Sequence, residues 1–409
     1  MKSYDVGIIG GGASGMMAAI SAKRCGVSVA LFEKNDILGK KILATGNGRC
    51  NFTNEDMDPG YFYSDDESCL RSVLSDFTKE DTLSFFSDLG ILYHQREGYY
   101  YPRNHQASAI RSHLSDEVYA LGVDVYLNTE VMDLDTDHNR FVISCKDRSF
   151  SFQKLILCSG GLAYPQGGNT GDGYEFAKGF SHSLMKPLPA LVPLDCSEPY
   201  FKFLKGVRAF GKVSLYLDGS LTVSDTGELQ FTKSGISGIP VFNISRFATR
   251  GLEEKKKVEG ILDFFPDYDE ETLFTKIQTA VSRGSKNVFE SLSGFIHEKI
   301  LNEALHNLHI PPEKPAELLT KEDIRLLCHN LKNWKVRITA FKDYEFAQVT
   351  CGGIPLSEVD DHLQSVYHNG LYFAGELLNA DAICGGYNLQ WAWSSGYVTG
   401  CHAAKMIGS

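Results

Sequence analysis

Tyr4-Asp5-Val6-Gly7-Ile8-Ile9-Gly10-Gly11-Gly12-Ala13-Ser14-Gly15 is the stretch that decides the fold. An apolar run of buried-strand type flows into Gly10-x-Gly12-x-x-Gly15 and then into a helix-forming segment, Met16 to Cys25. After a small turn at Gly26, a second apolar run, Val27 to Phe32, ends on Glu33 and closes a strand–helix–strand unit of about 30 residues. In that context the glycines let the backbone turn and approach a pyrophosphate, and the helix N-terminus offers free N–H groups and the positive end of its dipole. Glu33 is placed to bind the two hydroxyls of an adenosine ribose, and an acid there disfavours a 2′-phosphate.

Further along, Lys154-Leu155-Ile156-Leu157-Cys158 repeats the strand pattern and runs into Gly160-Gly161, and Leu371-Tyr372-Phe373-Ala374 leads into Gly375-Glu376. The three runs predict one sheet assembled from both ends of the chain. Between them the pattern changes. Val213, Leu215 and Leu217 alternate, Asp225-Thr226-Gly227 reads as a hairpin turn, and Leu229 and Phe231 alternate after it. From Asp269 the period is helical, with Leu273, Ile277 and Val281 on one face and Thr320-x-x-Asp323 as a capping signal. The expected fold is α/β. A Rossmann-type dinucleotide-binding domain is expected from 1–190 plus 346–409, with an inserted antiparallel, barrel-like β domain over 191–265 and an inserted helical subdomain over 266–345.

The chain has 409 residues, 43% of them hydrophobic and 22% charged, which are globular values that exclude a disordered or fibrous class. With 51 acids against 40 bases the net charge is −11, so no nucleic-acid partner is expected. Ten cysteines without a C-x-x-C pair read as reduced thiols, and no apolar run reaches the roughly 18 residues of a membrane span. A cytoplasmic protein acting on a small molecule, without membrane association, is the expectation; the oligomeric state is left open.

The glycine turn alone serves NAD and FAD equally. FAD is longer and needs contacts from distant strand ends, and such ends recur at Gly160-Gly161 and Gly375-Glu376. Near the C-terminus, Cys384-Gly385-Gly386-Tyr387-Asn388-Leu389-Gln390-Trp391-Ala392-Trp393 reads as a glycine turn entering a helix. A helix N-terminus aimed at the flavin N1 and C2 carbonyl would stabilise the anionic reduced ring. An ordinary helix start is the alternative.

These residues carry a resemblance. The chain is similar to a bacterial flavoprotein family called HI0933-like or YhiN-like, of BaiN and aminoacetone oxidase-type FAD-binding proteins. The resemblance rests on Gly39-Lys40-Lys41-Ile42-Leu43-Ala44-Thr45-Gly46-Asn47-Gly48-Arg49-Cys50-Asn51, Tyr164-Pro165 with Gly171-Asp172-Gly173, Phe231-Thr232 with Gly235-Ile236-Ser237-Gly238, and Gly385 to Trp393. It implies FAD, places Thr45 to Asn51 by the isoalloxazine and Gly375-Glu376 along the ribityl-pyrophosphate. Two departures stand out: Asn379-Ala380-Asp381-Ala382 replaces an expected Asp-Val-Asp-Gly, and His362-Leu363-Gln364-Ser365 replaces Thr-Met-Glu-Ser. Substrate preference is therefore not carried over. The cofactor-binding set expected from motifs and resemblance together is Gly10, Gly12, Ala13, Ser14, Gly15, Glu33, Lys34, Lys41, Thr45, Gly46, Gly48, Arg49, Cys50, Asn51, Val131, Gly160, Gly161, Asp172, Gly375, Glu376, Gly385, Gly386, Tyr387, Asn388 and Leu389.

Catalytic candidates are Cys50, as a redox thiol or a small packing group, Arg103, whose guanidinium could hold a carboxylate or carbonyl substrate, and Tyr387. Tyr99, Tyr100 and Tyr101 read as a pocket wall or a half-buried strand. His306 and His309 lack a third ligand, so no metal site is expected. The expected function is an FAD-dependent oxidoreductase passing a hydride between flavin N5 and a small or medium organic substrate. Reduction of an activated C=C bond, with NAD(P)H as a transient donor, competes with oxygen-dependent amine or alcohol oxidation of the aminoacetone oxidase kind. An RNA-modifying or RNA-binding flavoprotein is the third reading.

Overall fold

In the computed structural model, which describes residues 1–283 and 286–407, the first strand runs over Lys2–Ile9. Its residues Val6 and Ile8 are fully buried, as expected of a strand covered on both faces. It pairs in parallel with Val29–Phe32 on one side and Ser149–Leu157 on the other, and Val29–Phe32 pairs in turn with Asp124–Tyr126. The long strand Ser149–Leu157 is shared: its first half pairs antiparallel with Arg140–Ser144, and Leu155–Leu157 pair in parallel with Leu371–Phe373. With Asp133–Asp137 at the far edge this makes a seven-stranded mixed sheet whose strands come from both ends of the chain.

The first helix, Ala13–Arg24, and the closing helix, Tyr387–Lys405, pack tightly against each other. A side-chain carbon added at Gly396 would lie 2.4 Å from the Ser14 carbonyl oxygen, and one at Gly400 would lie 2.4 Å from that of Ala18. Only glycine lets the two backbones come this close.

The chain divides into two units, Met1–Leu188 with Gln348–Ser409, and Pro189–Ala347. The second contains a closed barrel of six strands, in the order Leu194–Cys196, Gly235–Ser237, Ser220–Phe231, Arg208–Leu217, Val258–Asp263 and Trp334–Phe341. Two sequence expectations change here. The hairpin turn is not at Asp225-Thr226-Gly227, which lies inside the strand Ser220–Phe231. It is at Asp218-Gly219, where both residues have positive φ (49° and 84°), as a two-residue turn matched to strand twist requires. Gly227 instead makes room: a carbon there would sit 3.0 Å from the Pro240 ring. The range 266–345, read as a helical subdomain, contributes the strand Trp334–Phe341 to the barrel, and its helices share one core with it, Ile277, Leu301 and Leu327 packing with Val213, Leu229 and Val336. The capping box at Thr320 and Asp323 is present.

Within the first unit a buried histidine sets a pH-dependent term. His182 Nδ1 lies 3.0 Å from Glu358 Oε2 and Nε2 lies 2.7 Å from Ser365 Oγ, which already accepts the N–H groups of Tyr367 and His368. Burial, partly opposed by Glu358, holds its pKa below the usual histidine value. The folded state therefore prefers the neutral ring, and its stability, complete above about pH 6.5, falls as pH drops below that value towards the folded pKa. Thermal melts from pH 7.5 to 5.0 should fall more steeply for the wild type than for His182→Gln; parallel curves would remove His182 from the acid response.

Candidate functional site

A cleft enclosing about 1350 Å³ of space, solvent included, opens at the carboxyl ends of the parallel strands in the first unit. Ligand sites of doubly wound sheets lie there. The glycine turn forms its floor. Gly10 has a φ of +103°, and its N–H donates to the Phe32 carbonyl at 2.8 Å. Gly15 lies beneath, so close that a carbon added to it would stand 1.8 Å from the Gly10 oxygen. Gly12 is different: a carbon there would meet nothing within 4 Å and would project into the open cleft. The first helix starts on Gly12 with no capping side chain, so its leading N–H groups remain for a ligand.

Glu33 is buried and braced. Its Oε2 accepts the Gly11 N–H at 2.8 Å, and its Oε1 accepts the backbone and side-chain N–H groups of Asn35 at 2.8 and 2.7 Å. The expected residues Gly10, Gly12, Ala13, Ser14, Glu33, Lys34, Lys41, Thr45, Val131, Gly160, Asp172, Glu376, Asn388 and Leu389 all line this one cleft. Lys34 pairs with Asp172 at 2.6 Å, and Lys41 with Glu376 at 2.5 Å, Glu376 also accepting the Thr350 N–H.

The remaining expected residues are not part of that lining. Gly375, at φ +72°, leaves room for the Ser14 hydroxyl, and Gly161 leaves room for Thr350 and Glu376. Gly46, Gly48, Arg49, Cys50 and Asn51 continue the loop that carries Thr45. Cys50 is completely buried, and burial pushes its thiol up to about 12, so at neutral pH it is a protonated packing group rather than a thiolate. Tyr387 is nearly buried too, packed between Tyr61 and Phe62, and burial raises its phenol above the ordinary range. Arg103 lies outside the cleft, on an exposed edge. Among the described residues no cluster of three or more potential metal ligands occurs.

Gly385 and Gly386 both have positive φ, 137° and 94°, and Gly386 opens the closing helix with no capping side chain. The Asn54 side chain donates to the Gly385 carbonyl at 2.8 Å, and a carbon on Gly386 would stand 2.7 Å from the Thr53 oxygen. Alanine is therefore no mild substitution here. Gly386→Ala and Gly386→Pro should each cost on the order of 1–3 kcal/mol, visible as a lower melting temperature and a lower cofactor content. A wild-type melt for both would show that this turn tolerates negative φ.

Sequence reasoning missed Ser159, whose buried hydroxyl has no hydrogen-bond partner and whose residue lines the cleft beside Gly160. Its position at the end of a parallel strand was the available signal. It also missed Asn35, which ties Glu33 to the Gly167 carbonyl and has no motif of its own. The donor set fits an adenine dinucleotide flavin: open helix N–H groups over Gly12, a carboxylate at the end of the second strand, and an unpartnered hydroxyl awaiting a partner.

Comparison with known proteins agrees with this geometry. The family model described as HI0933-like protein Rossmann domain matches residues 4–402. A 3-dehydro-bile acid delta(4,6)-reductase of Clostridium scindens is 39% identical over 404 residues, 98% of this chain and 99% of the relative. A ribosomal RNA dihydrouridine synthase of Haemophilus influenzae is 30% identical, covering 97% of this chain and 98% of its own. The solved structure of 3-ketosteroid delta1-dehydrogenase from Sterolibacterium denitrificans shares the fold, with a TM-score of 0.52 at 12% identity over 99% of this chain and all of that one. The chain belongs to the HI0933-like family of Rossmann-fold, FAD-dependent oxidoreductases.

Proposed function

We propose that this protein reduces a carbon–carbon double bond conjugated to a carbonyl group, using electrons carried by bound FAD. The single cleft that joins the Gly10–Gly15 turn to the start of the closing helix supports the flavin part of the reading. The reduction part draws on two relatives with unlike substrates, one named as a delta(4,6)-reductase and the other as a dihydrouridine synthase. Saturation of a ring double bond next to a carbonyl is the chemistry those names have in common.

When bound, FAD supplies the hydride. The chain's own residues do the rest. The open N–H groups at Ala13 and Ser14 would hold the pyrophosphate, and Glu33 the ribose hydroxyls. Lys41 and Glu376 would hold the ribityl stretch, and the uncapped start of the closing helix would offer its N–H groups and positive dipole end to negative charge on the reduced ring. NAD(P)H is the proposed donor, binding transiently, and the cytoplasm the proposed compartment.

The test is anaerobic. Holoenzyme is photoreduced and mixed with a 4-en-3-one steroid, with a uridine-containing ribosomal RNA fragment, with a saturated ketone and with oxygen; oxidised holoenzyme is mixed with NADH, NADPH and aminoacetone. Rapid reoxidation by the steroid, with reduction by NADH or NADPH, is the expected result. Reduction of the flavin by aminoacetone and inertness towards every conjugated acceptor would overturn it. The RNA reading is favoured by the dihydrouridine synthase relative, and reoxidation by the RNA fragment alone would select it.

A further inference from the structure

Outside the cleft, a small three-stranded sheet in the first unit carries chemistry that nothing so far has used. Its strands are Thr53–Asn54, Tyr99–Pro102 and Tyr93–Arg96. Arg96 is opposite Tyr99 and His94 opposite Tyr101, so strand alternation puts these four residues on one face. Tyr100 points the other way, where its ring meets Tyr93 and its hydroxyl meets Glu55.

The used face is aromatic and positive. His94 stacks on Tyr101 at 5.9 Å and meets His105 edge-on at 4.4 Å. Arg49, Arg96 and Arg103 are all exposed around them. Arg96 has a carboxylate neighbour, Glu97 at 3.5 Å, but among the described residues Arg49 and Arg103 have none. This is unusual in a chain of net charge −11. Burial, and then the charges of His105, Arg103 and Arg96, hold the His94 imidazole below its ordinary pKa. His94 Nδ1 is buried without a hydrogen-bond partner. Uncompensated positive charge and an unpartnered polar atom thus occur together.

The face adjoins the cleft through two links. Thr45 lines the cleft, and at the next residue, Gly46, an added carbon would stand 3.9 Å from the Tyr101 ring. On the other side, Asn54 donates to Gly385, and the unpartnered Asn51 Oδ1 lies where a carbon on Gly386 would approach to 2.9 Å.

We propose that Arg49 and Arg103, with the His94–Tyr101 face between them, form the recognition site for a carboxylate carried by the substrate away from its reacting double bond. Guanidinium forks match a carboxylate in two-point geometry, and the tyrosine and histidine faces supply apolar contact to the body that carries it. The face carries three arginines in a chain of net charge −11, whereas a polynucleotide needs a positive track along many phosphates. That favours one small oxyanion. The proposal deepens the double-bond reading and rests on it for the identity of the substrate, not for the existence of the site.

Binding is therefore tested without turnover. The oxidised holoenzyme is titrated with a saturated 3-oxo-cholanoic acid and with its methyl ester, neither of which has a double bond to reduce, following the flavin spectrum. The acid should bind at least tenfold more tightly at low salt, and the preference should shrink as salt rises. It should fall to within about twofold in Arg103→Gln and reverse in Arg103→Glu, each checked for FAD content; Arg49→Gln should act like Arg103→Gln if it keeps its FAD. Equal affinity of acid and ester in the wild type, or an unchanged preference in both Arg103 variants, overturns the proposal. So does displacement of the acid by a uridine oligoribonucleotide whose own binding is the one lost in Arg103→Gln. Turnover of the matching 4-en-3-one acid and ester is read separately: reduction of both at equal efficiency keeps the reductase reading and removes this site, and an Arg103-dependent preference without any reduction does the reverse.

Discussion

Gly15→Val should purify colourless. The carbon that any side chain would place at this position falls 1.8 Å from the Gly10 carbonyl oxygen, and that oxygen belongs to backbone, not to a side chain that can swing away. The turn itself is pinned, by Gly10 N–H on Phe32 and by the Gly11 carbonyl receiving the Gly39 N–H, each at 2.8 Å. Either the helix start or the turn must move, and the N–H groups of residues 13 and 14 move with it. A loss of FAD affinity of at least about a hundredfold is expected, about 2.8 kcal/mol, with a lower melting temperature of the apoprotein. Gly12→Ala separates the two effects. Its added carbon meets no atom within 4 Å at an ordinary φ of −78°, so the apoprotein should melt like the wild type while FAD binding falls, because the methyl group occupies the pyrophosphate's approach. Wild-type flavin content in Gly15→Val would remove the glycine turn from the cofactor site.

Glu33→Ala should weaken FAD about ten- to a hundredfold, as expected for charge-assisted hydrogen bonds of about 1.5–3 kcal/mol. It should also destabilise the protein, an effect not evident from the sequence. The same carboxylate accepts three N–H groups from Gly11 and Asn35, and Asn35 in turn holds the Gly167 carbonyl at the cleft wall. Glu33→Gln, which keeps one acceptor oxygen, should recover part of the melting temperature and little of the affinity. Dissociation constants measured on deflavinated protein decide this. A lowered melting temperature with an unchanged constant would make Glu33 a brace for the turn and nothing more.

The sheet was legible because its central strands are continuous apolar runs ending in glycine, a pattern that parallel strands with both faces covered impose on sequence. The parallel pairing of Lys2–Ile9 with Ser149–Leu157, and of Ser149–Leu157 with Leu371–Phe373, agrees with that reading, but the register is not encoded in the runs, because with both faces covered a slip turns no apolar side to water. The barrel was less legible. Trp334–Phe341 alternates buried Val336 and Ile338 with exposed Lys335 and Arg337, yet it follows directly on the helix Lys321–Lys332, so the helical period masked it. Asp225-Thr226-Gly227 misled because glycine serves close approach as well as turning, and only the neighbour, Pro240, distinguishes them. At the site, Gly10, Gly12 and Glu33 of the first motif lie on the cleft, Gly46 to Asn51 and Gly385 to Tyr387, equally marked by motif, do not line it, and Ser159, Asn35 and the Lys34–Asp172 pair depend on contacts between distant segments that no local spacing encodes. Cys50 and Tyr387 carry reactive groups, but burial raises the pKa of both, a property of the surroundings rather than of the residue.

The packing of Gly396 and Gly400 against the carbonyls of Ser14 and Ala18 has a consequence for how the protein comes into being. The N-terminal glycine turn leaves the ribosome early, but the helix that presses on it is made almost last. At a synthesis rate of about 5–20 residues per second, the stretch from Ser14 to Gly396 takes about 20–75 s. During that interval the strand Lys2–Ile9, apolar and buried from Val6 to Ile9, lacks its later neighbours, and the first helix exposes the flank meant for the closing helix. The cleft, lined by residues from both ends of the chain, is therefore complete only when synthesis is, and the flavin it is proposed to hold would be captured at the end of biosynthesis.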